Sequence, residues 1–123
     1  MLLQDSKLYT IELKRLTEEE CFEYSILFCP EHPIFKGHFP NYPIVPGACL
    51  VQIAEELLSQ SLNTLVHFTT IKNLKFRKPI TPDISVIFSI SKTNDDHVSV
   101  LIHTNLDNYA QFSATYMRAH TNV

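Results

Sequence analysis

Glycine is almost absent from this chain: of 123 residues, only Gly37 and Gly47 have the unrestricted backbone that comes with no side chain. Long apolar runs are missing too. No window approaches the ~18 continuous apolar residues of a membrane-spanning helix, and the opening Met-Leu-Leu-Gln-Asp-Ser-Lys reaches Asp5 and Lys7 before an apolar stretch of signal-peptide length forms. Positive charge is not in excess: 10 Lys and Arg stand against 13 Asp and Glu, for a net charge of −3, which argues against a nucleic-acid binder working through a global basic field. The three cysteines, Cys21, Cys29 and Cys49, are odd in number and have no Cys-x-x-Cys spacing. They fit buried thiols in a reducing, cytoplasmic setting better than a disulfide framework. The chain is too short for two ordinary domains, while 45% hydrophobic content suffices for one core, so a single domain over 1–123 is expected.

What is present is alternation. Phe22, Tyr24, Ile26 and Phe28 share one parity, as do Ile84, Val86, Phe88 and Ile90, then Val98, Val100 and Ile102, then Ala110, Phe112, Ala114 and Tyr116. Each stretch predicts a strand with one buried face. Leu8 to Leu16, alternating on Tyr9, Ile11 and Leu13, predicts a first strand. Val66 to Lys78 predicts a long strand whose parity slips between Phe68 and Leu74, the mark of a bulge. Turn residues at Asn94-Asp95-Asp96 and Asp107-Asn108 imply an antiparallel meander at the end of the chain. One segment has a different period. From Gly47, Leu50, Ile53, Ala54, Leu57 and Leu58 form a helical stripe, with Gln52, Glu55, Glu56 and Ser59 on the other face and an end near Asn63. Two strands, one long helix and four more strands predict an α+β domain with the sheet wrapped on a single helix.

Both glycines and three of the seven prolines fall in the loop that leads into this helix, Lys-Gly-His-Phe-Pro-Asn-Tyr-Pro-Ile-Val-Pro-Gly from Lys36 to Gly47. The segment resembles the active-site motif of the β-hydroxyacyl-acyl-carrier-protein dehydratases of the hotdog superfamily. In that family a Gly-His-Phe-Pro turn supplies a catalytic histidine, a Pro-Gly pair nine residues on starts the central helix and an acidic residue follows five positions later. His38, Gly47 and position 52 reproduce both spacings, except that position 52 is glutamine. The resemblance extends to Lys75-Phe76-Arg77-Lys78-Pro79, similar to the family's basic strand end, and to the order of elements, so it covers nearly the whole chain. It implies a hotdog fold of about six antiparallel strands around one long central helix. It also implies at least a homodimer, with His38 of one chain working with Gln52 of the other, and no metal, nucleotide or other cofactor.

Dehydration of a 3-hydroxyacyl thioester needs a proton taken from the carbon beside the carbonyl and a proton given to the departing hydroxide. A histidine suits both transfers near pH 7 because its ordinary pKa is about 6.5. His38 is the candidate, held by a loop that Pro40, Pro43 and Pro46 stiffen. Gly47 lies where helix N–H groups are unpaired, so its N–H is the candidate donor to a thioester oxygen gaining charge, a duty the resemblance also assigns to it. Gln52 lacks an acid's proton but offers one donor and one acceptor with which to hold a hydroxyl. Glu56, one turn on, is the alternative acid. Phe35, Phe39 and Pro46 are candidate substrate contacts, although Phe35, Phe39, Tyr42 and Ile44 fit a core equally well. Lys72, Lys75, Arg77 and Lys78 form a basic cluster suited to an acidic acyl carrier protein, or else an ordinary solvated strand face. Cys29, Glu31, His32 and His38 match no standard zinc spacing. Two other functions remain open: a hotdog thioesterase using Glu55 or Glu56 to activate water, and a catalytically silent subunit that binds acyl thioesters.

Overall fold

Alternating apolar residues share a face only on an extended backbone, and each alternating stretch is a strand in the computed structural model, which describes residues 3, 4, 6–18, 20–37 and 43–119. The chain runs through β1 (Tyr9–Glu18), β2 (Cys21–Phe28), a one-turn helix α1 (Ile34–Gly37), the long helix α2 (Gly47–Leu62), β3 (Val66–Phe76), β4 (Ser85–Asn94), β5 (His97–His103) and β6 (Asn108–Arg118). All six strands join one antiparallel sheet in the order β1-β2-β4-β5-β6-β3. The last three strands of the chain are therefore the expected meander, and β1 and β3 are the edges.

The inward parity of β2, β4, β5 and β6 and the α2 stripe of Leu50, Ile53, Ala54, Leu57 and Leu58 meet in one core, where every one of these helix residues is buried. Full burial of such a side chain contributes roughly 1.5–3 kcal/mol, so the stripe is what holds the helix on the sheet. α2 stops at Asn63, whose left-handed backbone (φ 53°, ψ 38°) turns its N–H back to the carbonyls of Ser59 and Gln60.

Three expectations are corrected. In β1, Tyr9 is buried but Leu13 is 59% exposed, because the ladder to β2 shifts register between Ile11 and Leu13 and turns over the side chains that follow. The slip expected in β3 is present, as two register shifts, Phe68/Thr70 and Lys72/Lys75, with Asn73 left-handed (φ 57°) at the second. The strand then ends at Phe76, short of Lys78, because the N–H groups of Arg77 and Lys78 both turn to the Tyr109 carbonyl at 2.8 and 3.3 Å. Finally, all three thiols are free, but only Cys49 is buried; Cys21 and Cys29 are half-exposed.

Candidate active site

α2 starts without a side-chain cap. Pro46 precedes it with an extended backbone, and its carbonyl accepts from the N–H groups of Cys49 and Leu50 at 3.0 and 3.3 Å. The N–H groups of Gly47 and Ala48 have no partner among the described residues, so the positive end of the helix is open at that point. The incoming loop is held there by Val45, whose N–H donates to the Ile80 carbonyl at 2.7 Å. The Phe76 ring lies directly on Gly47: a Cβ at that position would stand 2.5 Å from the ring's Cζ. Glycine thus serves here for close approach and not for its backbone angles, since no glycine has positive φ. A cleft of about 300 Å³ opens around this contact, between Ile44, Val45, Gly47 and Leu50 on one side and Phe76, Arg77, Lys78, Pro79 and Ile80 on the other. A larger hollow of about 530 Å³, beside Lys7, Tyr9, Lys14 and Gln60, contains none of the motif residues.

Gln52 is half-buried and does not line the cleft. Five residues rotate a helix by about 500°, which places Gln52 roughly 140° around α2 from Gly47. Its Nε2 donates to Glu56 Oε2 at 3.0 Å. Glu56, read from sequence as part of the polar helix face, is only 7% exposed. It is buried because it meets donors from elsewhere: Leu3 N–H at 2.8 Å and Gln52 on Oε2, and Gln4 N–H at 3.1 Å and the Tyr9 hydroxyl at 2.8 Å on Oε1. Glu55 is also engaged, accepting the Phe68 N–H at 2.8 Å with His67 Nδ1 4.0 Å away. Burial pushes the Cys49 thiol above its ordinary value of 9.0, and the nearby Glu56 adds to the shift.

The basic cluster is divided. Arg77 and Lys78 line the cleft and are tied down, Arg77 to Gln111 Oε1 at 3.2 Å and Lys78 to Asp107 at 2.7 Å, where the carboxylate holds the lysine pKa above its ordinary value. Lys72 and Lys75 are exposed on β3, outside the cleft and without an ion-pair partner among the described residues. Phe35 is 5% exposed within the core and is not part of the cleft wall. Pro46 is half-buried at the cap, and His38 and Phe39 lie outside the described residues. His32 is occupied locally: its Nδ1 accepts from the Ile34 N–H at 3.1 Å, and its Nε2 is hydrogen-bonded with the Ser6 hydroxyl at 3.2 Å. Among the described residues, no group of three His, Cys, Asp or Glu is placed to hold a metal ion. Two contacts escaped the sequence reading, the Phe76 ring on Gly47 and the burial of Glu56 under the N-terminal segment. Phe76 had a signal, as the aromatic centre of the basic strand end; Glu56 had none, because its partners lie about fifty residues away.

Comparison with known proteins places the chain in a family. The family model described as ApeI-like, ApeI dehydratase, matches residues 14–113. The chain belongs to the ApeI-like dehydratase family. Among solved structures, the dehydratase heterocomplex ApeI:P from Xenorhabdus doucetiae superposes with a TM-score of 0.79 at 17% identity, covering 89% of this chain and 97% of that one. An uncharacterized protein from Erwinia carotovora subsp. atroseptica gives 0.73 at 17% identity, with 90% and 97% covered. The fold is the hotdog fold. Curated relatives include the 3-hydroxyacyl-[acyl-carrier-protein] dehydratase FabZ of Allorhizobium ampelinum, 42% identical over 67 residues that make up 49% of this chain and 44% of the relative. The same enzyme of a Wolbachia of Brugia malayi is 36% identical over 72 residues, 50% and 49% of the two chains. The chain therefore spans about half the length of the curated relatives it matches.

Proposed function

We propose that this member of the ApeI-like family interconverts 3-hydroxyacyl and 2-enoyl thioesters carried by an acyl carrier protein. The observation that carries the reading is the cleft at the start of α2, where Gly47, its N–H without a partner among the described residues, lies on an apolar wall. Its volume of about 300 Å³ stands at the small end of the range for organic ligands. In the proposed reaction His38 takes the proton from the carbon next to the thioester carbonyl, and the Gly47 N–H stabilises the charge that develops on the carbonyl oxygen. The carbon–oxygen bond at the next carbon then breaks, and the imidazolium returns its proton to the hydroxide, which leaves as water. Gln52 holds the substrate hydroxyl. Since Gln52 and the cleft lie on different sides of α2, the site is completed by the Gln52 of a second subunit, and the edge strand β3, with Leu74 and Phe76 44% and 53% exposed, is where a second copy would pair.

A thioesterase would need a free carboxylate to activate water, and both Glu55 and Glu56 are committed to internal donors. A second reading, in which an unlike subunit completes the cleft, is favoured by the heterocomplex among the structural neighbours. The test is incubation of the purified chain with a 2-enoyl thioester. Loss of the enoyl absorbance with formation of the 3-hydroxyacyl product, abolished in a folded His38→Ala variant, is the expected result. Release of free thiol would mean a thioesterase, and activity only after adding an unlike subunit would mean the second reading. A His38→Ala protein that keeps most of its rate would remove His38 from the mechanism.

A further inference from the structure

We infer that Glu56 is a positioning residue that orients the Gln52 amide, so that Gln52 presents its oxygen to the substrate and acts as an acceptor for the substrate hydroxyl. The inference deepens the reading above and rests on it. Glu56 receives four donors, two on each oxygen: the N–H groups of Leu3 and Gln4, the Tyr9 hydroxyl and Gln52. Main-chain N–H groups only donate, and with one of them on each oxygen Glu56 serves its surroundings as an acceptor. The side of the Gln52 amide that faces it must therefore be the NH₂ side, which leaves Gln52 Oε1 outward and without a partner among the described residues.

The polarity has a chemical consequence. A 3-hydroxyl group that donates its hydrogen to Gln52 Oε1 has its oxygen lone pairs turned away from Gln52 and open to the proton delivered by His38. The hydrogen bond thus orients the leaving group without any proton passing through position 52. A free amide would sample both orientations, and the reversed one would offer a donor that competes for the same lone pairs.

Two measurements test this. In kinetics on the full chain with a 3-hydroxyacyl thioester, Gln52→Ala and Glu56→Gln are each expected to lower kcat roughly tenfold, as for loss of one oriented hydrogen bond, with KM within about twofold. The double variant is expected to be no slower than Gln52→Ala, because Glu56 acts through Gln52. Additive losses, or a Glu56→Gln protein with the wild-type kcat, overturn the inference. The second measurement stands even if Glu56→Gln does not fold: in the wild-type protein the Gln52 side-chain NH₂ resonances are expected to exchange with solvent far more slowly than those of the exposed Gln4 and Gln60. Equal exchange overturns it. An inactive wild type with a protected Gln52 amide sinks the dehydratase reading and leaves the amide polarity standing, whereas an active wild type with a freely exchanging amide does the reverse.

Discussion

An unpaired carboxylate in an apolar surrounding costs several kcal/mol, which is why Glu56 is tolerable only as the centre of a satisfied network. The network also changes what is expected at position 52. Gln52→Glu restores the acid of the resembling family, but it sets a second carboxyl group against the buried oxygens of Glu56, and two such groups cannot both ionise cheaply. One pKa of the pair rises above the ordinary carboxylate value in the folded state. Protonation then favours the fold, so the variant's stability is fully present below the unfolded value of about 4.3 and is lost as pH rises through the raised folded one. Gln52→Glu is therefore expected to match the wild type closely in urea near pH 4 and to fall behind by roughly 1–2 kcal/mol by pH 8. A gap that stays constant with pH would mean that the two side chains do not face each other.

At the level of elements, the site is a contact between the first turn of α2 and the end of β3. Phe76 reaches Gly47 because the register shifts in β3 re-aim the last residues of the strand, and because the helix has no Cβ at that point. Gly47→Ala is expected to force the ring aside. Phe76 is 53% exposed, so the ring can swing outward, and alanine is the better helix former. The stability change should therefore stay within about 1 kcal/mol, while kcat/KM falls by at least the 10²-fold typical of an impaired oxyanion donor. Thermal melts and steady-state kinetics on the same preparation decide it. Unchanged kcat/KM would reduce Gly47 to a helix-opening residue.

Across the whole molecule, the acidic net charge of −3 and the basic residues in and just after β3 bear on how a carrier protein would approach. Arg77 and Lys78 belong to the cleft wall and have polar partners, so altering them would disturb small and carrier-bound substrates alike. Lys72 and Lys75 are exposed and stand clear of the cleft, which makes them the sharper test. Reversing both to Glu is expected to raise KM for a carrier-bound thioester several-fold, more at low salt, and to leave a small thioester nearly unaffected. Equal effects on the two substrates would mark these lysines as structural. No helix among the described residues is long and apolar enough to cross a membrane.

The order of elements, the meander, the span of α2 and the β3 irregularity were all legible in the sequence, because periods of two and of 3.6 are local properties that a residue and its near neighbours determine. The motif was legible for the same reason: Gly37, His38, the prolines and Gly47 lie within one short loop. Other features depended on residues far apart in the chain. Glu56 looks like solvated helix surface until Leu3, Gln4 and Tyr9 fold over it, and Gly47 looks like a helix opener until Phe76 lands on it. The four basic residues look like one patch until β6 and the turn that precedes it tether two of them. A sequence pattern states which face a side chain takes on its own element, and only the packed fold decides what that face meets.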